Sequence, residues 1–573
     1  MIGRYMNCFS CFFVLLLFLQ VGQAQPRKYE RKSIAFVDDL VYVNSTQSLS
    51  SNLELTYRNI VSHQIRMKRF DYNPIPESVL RKFQSKARNR RMSMEELEDL
   101  LDETIVPEII KFLDIKKEMR AQNLVTETQK NSFITQKARE SGITAQQLEQ
   151  VMNSSYLFVP FIDKYDVSVD SEEDQLNLSI SGGLIWYHVI SEGQSSLEKI
   201  AVVTSRASAS EDTEDQSRDK ARNEALKSAA LIMGLNLKTR TRELDMFKLL
   251  APIAEVDGGS VKFPLGENEG LKLDQPYYVG EWRMNNQGES KFYKDGFARV
   301  GTIADENSNQ PYMSSAWAIK KGDWARGMTI MEHPRLGIDL SIKTRMFPVN
   351  VDSGLFAGDD ITAIFDSYSG FVPGLDVDFN ANIANITGVR QSFITVGFTG
   401  AIVPVKSYVM YEDVIAEFGI GNLTIFELIE QRDNVNTVGF YADGHFGYLK
   451  KYYLGPLALH WGAKAGVQAF SVTADYEDKV SLMNITFGGK VNVGLEYALN
   501  IDTNIGIFAG YNAFPAANAW IVKKDGDEVP VGNQIFKYSW PKISSIGQTY
   551  GIYFHYSIPS LSFSPGELVA DAM

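Results

Sequence analysis

Apolar and polar residues alternate along the C-terminal part of the chain, from about Gly337 onward. Segments of about ten residues, separated by turns, carry apolar side chains on one face and polar or very small ones on the other. In the first segment the apolar set is Ile338, Leu340, Ile342 and Met346, and the polar set is Asp339, Ser341, Lys343 and Arg345. In the last segment one face carries Tyr550, Ile552, Phe554, Tyr556 and Ile558, and the other carries Thr549, Gly551, Tyr553, His555 and Ser557. This pattern predicts the antiparallel strands of a membrane β-barrel.

The composition of the second face separates a membrane barrel from a soluble β-sandwich. The outer face of a sandwich meets water, so it should be richer in Lys, Glu and Thr than in Gly and Ala. Here the second face is rich in Gly, Asn and Asp, for example at Asp376, Asp378, Asn380 and Asn382. Glycine inside a strand costs stability unless thin side chains are required, as in a narrow lumen. We therefore predict a barrel and keep the sandwich as the alternative.

The strand number follows from the expected topology. Both ends of such a barrel should lie in the periplasm, with short turns there and long loops outside, which requires an even number. We predict ten strands, and eight remain possible. The ten segments are 337–347, 361–369, 374–384, 391–402, 411–420, 437–448, 456–470, 484–498, 503–512 and 545–558. The turns Phe371–Gly374 and Asn500–Asp502 are then periplasmic, and loop 513–544 is extracellular. A barrel this small is filled by side chains, so no open channel is expected.

A different pattern precedes the barrel. Residues 75–153 have helical periodicity, with Ser93 and Glu96 spaced as a capping box and Pro107 placed to begin a further helix. Strand patterns surround this stretch at 33–43, 156–162, 176–190 and 200–206. A helix is predicted over 217–235, with small residues at i, i+4 spacing that suit close packing on a sheet and Gly234 placed to end it. Together these patterns predict an α/β layer with a helical insertion.

The first residues predict export. Arg4 precedes an apolar run, Phe12 to Leu19, which is too short to span a bilayer, and the small residues Gly22 and Ala24 precede Gln25. This arrangement is typical of a cleaved signal peptide. Both cysteines lie within it, so we expect no disulfide, thiol chemistry or lipid anchor in the mature chain. No later apolar run is long enough for a membrane-spanning helix.

Charge excludes one class of function. The net charge of −13 argues against nucleic-acid binding, which requires a concentrated basic surface. One basic cluster stands out in this acidic chain: Arg81, Lys82, Lys86, Arg88, Arg90 and Arg91. It is a candidate site for an anionic partner such as lipopolysaccharide or a membrane surface, and the alternative is a solvated helix face.

The sequence offers little support for catalysis. None of the nucleotide-binding or nucleophile-elbow motifs is present, and the histidines lack the spacing of metal ligands. We therefore predict no enzyme activity, no cofactor and no metal site. One enzymatic alternative remains, an outer-membrane protease resembling the omptins, because several titratable residues fall on the lumen face of the predicted strands. They are His445, His460, His555, Asp376, Asp378, Asp443, Lys464, Lys490 and Glu496, with His445 and His460 expected at mid-strand and His555 near the periplasmic end. The simpler interpretation is a buried polar network.

Two stretches before the barrel resemble known envelope domains. "NSSYLFVPFID", the two long strands after it and "DKARNEALKSAALIMGL" resemble the small α/β domain of the TolB N-terminal, LpoB and CsgG group. Residues 253–331 resemble the SH3-like C-terminal domain of the flagellar protein FlgT, through "LGENEGLKLDQPYYV", "GFARV" and "KKGDWARGM". These resemblances imply assembly and docking modules, and they transfer no catalytic residue.

The predicted order of domains is a signal peptide (1–24), a periplasmic α/β domain (25–250) with a helical insertion (75–153), an SH3-like domain (251–334), an outer-membrane barrel (335–558) and a periplasmic tail (559–573). The expected function is a non-enzymatic scaffold or accessory subunit of an envelope machine for protein assembly, secretion or gliding. Its expected partners are outer-membrane lipid and other outer-membrane or periplasmic proteins. The alternative among binding proteins is an envelope tether that contacts peptidoglycan or its synthases.

Overall fold

The computed structural model describes residues 32–44, 47–87, 91–122, 126–170, 172, 174–190, 194–284, 290–305, 312–357, 362–365, 367–410, 415–420, 423–428, 433–435, 437–475, 479–517, 520–524, 527–528 and 542–559. The predicted signal peptide and all but the first residue of the predicted tail lie outside these ranges. Three parts follow one another along the chain. We call them the N-terminal region (32–247), the middle region (249–334) and the barrel (335–559).

The N-terminal region is built on one mixed sheet. Its strands are β1 (Lys32–Phe36), β2 (Val41–Tyr42), β3 (Phe70–Pro74), β4 (Ser154–Asp170), β5 (Gln175–Ile190) and β6 (Ser196–Asp212). The order is β3-β1-β4-β5-β6, with β2 paired to β4. β3, β1 and β4 are parallel, whereas β4, β5 and β6 are antiparallel. Both faces of this sheet carry apolar residues, so both require a covering layer.

Helices cover the two faces. They are α1 (Ser51–Gln64), α2 (Glu77–Ala87), α3 (Met94–Ala121), α4 (Glu127–Glu140), α5 (Ala145–Met152) and α6 (Arg218–Glu243). α1 and α6 share a core with one face, and α2 to α5 share a core with the other. The predicted capping box is confirmed at the start of α3, where Ser93 Oγ accepts from Glu96 N at 3.1 Å. Within the described residues, no helix is both long enough and apolar enough to cross a membrane.

Two predicted helix boundaries are wrong. Pro107 does not begin a helix, because α3 runs through it from Met94 to Ala121. Gly234 does not end α6, which continues to Glu243. Instead, Gly234 lets α6 approach α1 closely: a Cβ atom there would lie 2.6 Å from Gln64 Cβ. Tertiary packing, and not a helix stop, accounts for this glycine.

The middle region is a separate antiparallel sheet. Its strands are β7 (Leu250–Pro252), β8 (Glu255–Asp257), β9 (Ser260–Phe263), β10 (Pro276–Met284), β11 (Ser290–Thr302), β12 (Ser314–Lys320) and β13 (Thr329–Glu332), in the order β7-β13-β10-β11-β12-β9-β8. Gly258 and Gly327 have positive φ, at 54° and 91°, which glycine adopts without strain in turns. The core of this region contains Phe263, Tyr277, Val300 and Ile330.

The remaining strands include a closed barrel of eight. They are β14 (Arg335–Val351), β15 (Gly354–Ala357), β16 (Thr362–Phe365), β17 (Tyr368–Asn382), β18 (Ser392–Val403), β19 (Ser407–Met410), β20 (Ile415–Ile420), β21 (Leu423–Leu428), β22 (Asp433–Val435), β23 (Thr437–Leu454), β24 (Leu457–Asp475), β25 (Lys479–Ala498), β26 (Thr503–Phe514), β27 (Trp520–Lys524), β28 (Asp527–Glu528) and β29 (Ile543–Pro559). The barrel strands are β14, β17, β18, β23, β24, β25, β26 and β29, and the pairing of β24 with β25 closes the ring. A short helix, α7 (Ala384–Thr387), lies between β17 and β18.

The prediction of ten barrel strands is therefore wrong. Two of the ten segments do not contribute barrel strands of their own, because β16 pairs with β15 and β19, and β20 pairs with β21. The predicted turn Phe371–Gly374 lies within β17. Gly374 makes room there for the ring of Phe347, since a Cβ atom at this position would lie 2.7 Å from that ring. Alternation identifies strands but not their partners, so short hairpins outside the ring resembled barrel strands.

We call the end of the barrel where β14 begins the proximal end, and the opposite end the distal end. The turn containing Asn500 to Asp502 is proximal, next to the middle region, and the connection between β26 and β29 is distal, as the predicted topology requires. The outward positions of β24 are apolar from Leu457 to Val467. In a strand tilted by ~40° this stretch spans about 25 Å, which matches the apolar belt of membrane barrels.

Candidate functional site: the lumen and the junction

A charged cluster fills the middle of the lumen. His445 lies between two carboxylates, with Nε2 2.7 Å from Asp378 and Nδ1 2.8 Å from Asp443. Lys464 Nζ contacts Asp378 at 2.6 Å, and Lys490 Nζ contacts Asp443 at 2.6 Å. These residues sit on β17, β23, β24 and β25, so period-two alternation on four strands brings them together. The predicted polar network is confirmed for this set.

A second cluster lies nearer the proximal end. Lys451 Nζ contacts Glu496 at 3.0 Å, and Asn504 Nδ2 donates to Glu496 at 2.7 Å. Tyr553 Oη also donates to Glu496, at 3.1 Å, and lies 3.1 Å from His460 Nδ1. His460 is the fourth residue of β24, so it lies close to the proximal turn and not at mid-strand as predicted.

His555 lies at the same height in the lumen as this second cluster. Its Nε2 is 3.0 Å from Asp339, and its Nδ1 shares a hydrogen bond of 2.9 Å with Ser341. This agrees with the prediction that His555 lies near the proximal end. Across the described lumen, five carboxylates are matched in number by five lysine and arginine side chains. The carboxylates are Asp339, Asp376, Asp378, Asp443 and Glu496, and the basic groups are Lys343, Arg345, Lys451, Lys464 and Lys490.

Such matching is what burial of charge requires, since an unpaired ion in a dry interior costs several kcal/mol. The distal lumen is different, because apolar side chains fill it. They include Phe347, Val349, Val351, Tyr441, Phe470, Val472 and Leu482. An aqueous path along the described lumen would have to cross both the paired charges and this apolar layer. The predicted His and Asp residues lie inside the barrel and are bonded to other lumen side chains, so this arrangement gives the omptin-like alternative no added support.

The middle region meets the barrel at a charged contact. Asp502, in the turn between β25 and β26, accepts hydrogen bonds from Arg335 Nε at 2.6 Å and lies 2.8 Å from His333 Nε2. Burial by itself raises the pKa of Asp502, but His333 and Arg335 outweigh burial and lower the pKa to about 2. The carboxylate is therefore ionised at neutral pH and bridges the two parts of the chain.

A second polar contact involves the loop before β10 and the turn between β17 and β18. The carboxylate of Asp274 accepts hydrogen bonds from the backbone N–H of Gln391 and from Asn382 Nδ2, the latter at 3.3 Å. The backbone N–H of Leu273 donates to Asn385 Oδ1 at 2.8 Å. Burial raises the pKa of Asp274 above its ordinary value. These hydrogen bonds hold a loop of the middle region against the proximal rim of the barrel.

Apolar packing completes this junction. Phe297 and Ile319 of the middle region form a buried cluster with Ala498 and Ile501 of the proximal turn, and Tyr278 packs against it. The guanidinium of Arg299 lies over the ring of Tyr453, at 5.7 Å from its centroid. Residues from both parts, including Asp274, Arg299, Trp317, Arg390 and Tyr497, line a cavity of about 590 Å³ at the same place.

Glu332 joins the N-terminal region to the middle region. Its side chain is 1% exposed, and Oε2 is 3.0 Å from Arg69 Nη1. Arg242 Nη2 contacts Oε1, and Gln275 Nε2 donates to Oε1 at 2.7 Å. Burial by itself raises the pKa of Glu332, but Arg69 and Arg242 outweigh burial, so the pKa lies below its ordinary value.

The predicted basic cluster does not form part of the lumen or the junction. Arg81, Lys82 and Lys86 are exposed on α2, and Arg91 is exposed before α3, whereas Arg88 and Arg90 lie outside the described residues. Lys86 Nζ forms an ion pair with Glu103 at 2.5 Å, which neutralises part of the cluster. An anionic partner for this surface stays a prediction.

A cleft of about 1400 Å³ opens beside β3 in the N-terminal region. Its lining combines amide, basic and acidic side chains: Asn73, Gln146, Gln150 and Asn153, then Lys32, Arg66, Lys68 and Lys116, and the carboxylates Asp71 and Glu149. Among the described residues, no group of three or more His, Cys, Asp or Glu side chains is arranged to hold a metal ion. The cleft and the junction are not predictable from the sequence, because each is assembled from residues that lie far apart along the chain.

No protein-family model matches the chain. No curated protein matches it. Several solved structures align with the barrel part. The outer membrane protease OmpT from Escherichia coli aligns at 7% identity and a TM-score of 0.23, over 39% of this chain and 99% of its own. OprG from Pseudomonas aeruginosa aligns at 12% identity and 0.23, over 39% and 96%. Ail, the attachment invasion locus protein of Yersinia pestis, aligns at 10% identity and 0.19, over 38% and 97%.

Identities and TM-scores this low carry no functional argument. The eight-stranded barrel rests instead on the strand pairing of this chain. The resemblances of the N-terminal and middle regions to TolB-like and SH3-like domains stay predictions.

Proposed function

We propose that this chain is a non-enzymatic scaffold of the outer membrane, in which the barrel is an anchor and the N-terminal and middle regions, on the periplasmic side, hold other proteins of an envelope machine. The observation that carries the proposal is the contrast between the lumen and the junction. The lumen is filled by paired charges and an apolar layer, whereas the junction couples the barrel to the regions before it.

An anchoring role in the outer membrane follows from the barrel exterior. Closed barrels satisfy every backbone hydrogen bond internally, so they are one of two structures that can span lipid. An apolar belt of about 25 Å supports this placement. The predicted signal peptide supports export, and the proximal position of the N-terminal and middle regions supports their location in the periplasm.

A scaffold role, in preference to transport, follows from the lumen contents. Aqueous channels appear in barrels of ~16 strands, and eight-stranded barrels are filled by side chains. His445, Asp378 and Asp443 resemble catalytic groups in type, but each is bonded to other lumen side chains. Their pairing supports a structural role.

The periplasmic surfaces are where partners would bind. The cleft beside β3 is polar, and its amides, together with an excess of basic over acidic side chains, suit an extended peptide segment with acidic side chains. The resemblance of both regions to assembly modules supports proteins as partners. The same amide lining favours a second candidate function, contact with peptidoglycan or its synthases, because amides also bind sugar hydroxyls and peptide groups.

The test is to isolate complexes from the native host in mild detergent. Full-length chain, the barrel alone (334–573) and a cleft variant, Asn73→Ala with Lys116→Ala, are compared. We expect a reproducible set of partners with the full chain, fewer with the cleft variant and none with the barrel alone. Exposed Lys164→Ala, outside the cleft, serves as control. A barrel alone that restores the phenotype of a deletion strain would contradict the proposal, because function would then reside in the barrel or its loops.

A further inference from the structure

The hairpin of β10 and β11 extends beyond the sheet of the middle region. β10 pairs with β13 only as far as Gly280, and the pairing of β11 with β12 begins at Phe297. Beyond these points, among the described strands, residues 281–284 and 290–293 pair only with each other. We call these residues the ribbon. A two-stranded ribbon is marginally stable in water on its own, so a further surface is expected to support it.

The two faces of the ribbon differ in chemistry. Residues directly opposite each other share a face, so Trp282 lies beside Phe292, with ring centroids 5.4 Å apart. Met284 is on the same face, and Trp282 and Met284 are 43% and 75% exposed. This apolar face has large side chains in water, which is uncommon for a surface without a partner.

The opposite face is polar. Arg283 forms an ion pair with Glu281, and its guanidinium lies 5.3 Å from the centroid of the Tyr293 ring. Lys291 is opposite Arg283 and shares this face. The ribbon is therefore amphipathic, with one side suited to an apolar surface and the other to water.

The apolar face of the ribbon continues the face of the sheet that is docked onto the barrel. A register shift between Val279 and Gly280 places its extra residue, Asp295, on β11. Side chains therefore still alternate along β10, and Trp282 and Met284 are on the same side as Tyr278. Tyr278 and its cross-strand neighbour Phe297 pack against Ile501 at the proximal rim. The apolar face thus points toward the side on which the barrel, and any bilayer around it, lies.

Exposed apolar residues on the barrel exterior indicate where a surrounding bilayer would end. Leu499, beside the rim turn, and Leu457, at the start of β24, are exposed apolar residues at the proximal end. Lipid that covers them would reach the level at which the middle region docks. Lys294 Nζ lies 3.9 Å from the Tyr278 ring centroid, near this level.

We propose that the ribbon lies on the membrane leaflet next to the middle region and places Trp282, Phe292 and Met284 among the phospholipid headgroups and upper acyl chains. The inference rests on the proposed function in one respect, that the barrel spans a bilayer. Trp favours this interfacial level because its ring is apolar and its N–H can bond to water or headgroups. Continuity with the docked face selects lipid over a protein partner. The ribbon would then be a second membrane contact that limits rocking of the middle region on the barrel.

The test uses the absence of cysteine after residue 24. Full-length mature chain carrying Met284→Cys, Arg283→Cys or Ile552→Cys is labelled with bimane and refolded into phosphatidylcholine and phosphatidylglycerol vesicles that contain nitroxide lipids. Arg283 is the matched control on the polar face, and Ile552 reports barrel insertion. Either orientation of insertion is acceptable, because the ribbon always faces the leaflet on its own side.

We expect lipid quenching at Met284 to exceed that at Arg283 by about twofold or more, since interfacial groups sit ~5–10 Å into the headgroup and acyl boundary. Equal quenching at the two positions, with Ile552 quenched, would overturn the inference and leave the proposed barrel intact. Absence of quenching at Ile552 would overturn the proposed membrane anchor itself. The label at position 284 could instead be shielded only when many protein copies share a vesicle, with no quenching by nitroxide lipid. That result would indicate a second copy of the chain as the partner and would also overturn the inference. If Met284→Cys does not fold, Phe292→Cys and Lys291→Cys give the same contrast.

Discussion

At the scale of single residues, buried charge in this chain occurs in matched sets. His445 has a carboxylate on each ring nitrogen, and each of these carboxylates also contacts a lysine. Lys490 and Glu496 have separate partners, since Lys490 contacts Asp443 and Glu496 contacts Lys451. Removing one member of such a set leaves an uncompensated charge, which costs more than the pair itself contributes.

Glu332 supplies a pH-dependent prediction. Its pKa in the folded chain lies below the ordinary 4.5, so its contribution to stability is complete above pH 4.5 and is lost as pH falls through the folded value. Glu332→Gln should lower the free energy of unfolding by about 3 kcal/mol at pH 7, because Arg69 and Arg242 lose a buried partner. Below the folded pKa the difference between variant and wild type should shrink.

The measurement for Glu332 is thermal unfolding of the N-terminal and middle regions, in the full chain in micelles, from pH 7 to pH 3. Glu255→Gln is the control, since its ion pair with Lys262 is on the surface of the same sheet and its side chain is 54% exposed. A loss equal to that of the control would show that Glu332 does not hold the two regions together.

Ile552 tests the assignment of barrel faces. It is 63% exposed on the outward face of β29, with Tyr550 and Phe554 on either side along that face. Ile552→Arg should cost ~2–4 kcal/mol near the bilayer midplane, and Gln548→Arg, toward the distal edge of the belt, ~0–1 kcal/mol. Urea unfolding of the barrel in lipid measures both. Equal tolerance of the two arginines would mean that this face does not contact lipid.

At the scale of elements, close approach of a side chain from a neighbouring element accounts for two glycines that resemble a helix stop and a turn. Gly234 lies in α6 where α1 crosses it, and Gly374 lies in β17 beneath the ring of Phe347. In both cases the neighbour is far away in sequence. The element therefore continues through a residue that, by local propensity, would interrupt it.

Gly234→Ala distinguishes a packing role from a helix stop. Alanine favours helix by ~1 kcal/mol over glycine, so an unconstrained site would gain stability. Here the new Cβ would be 2.6 Å from Gln64 Cβ, so we expect a loss of about 1–3 kcal/mol, the usual cost of overpacking. Urea unfolding measures it, with exposed Ser228→Ala on the same helix as control. Gln64→Gly should recover part of the loss, and a gain from Gly234→Ala alone would contradict the close contact.

At the scale of the whole molecule, the three parts are linked in series by small polar contacts. Glu332 joins the first to the second, and Asp502 and Asp274 join the second to the third. Each part has its own apolar core, and the buried cluster at the barrel junction is small. Domains with their own cores can fold independently, while short polar links fix their arrangement.

The separate cores predict that residues 25–335 fold without the membrane. The fragment should be soluble and unfold cooperatively, with Phe297 and Ile319 newly exposed on its docking face. Circular dichroism and sedimentation without detergent provide the measurement, and Phe297→Ser is expected to reduce any self-association through that face. Recovery only in detergent would show that the barrel is required for the preceding regions to fold.

The sequence alone determined the presence of a barrel, its lipid and lumen faces and the capping box of α3, because these depend on periodicity or on residues three positions apart. Only the tertiary structure decided the strand number, the continuation of α3 and α6, and the partners of each buried charge. Strand pairing is a choice among distant segments, and the alternation of β16 or β20 contains nothing that specifies a partner. The junction residues are likewise single charges separated by tens to hundreds of positions along the chain, so their chemistry exists only once the fold brings them within a few ångströms.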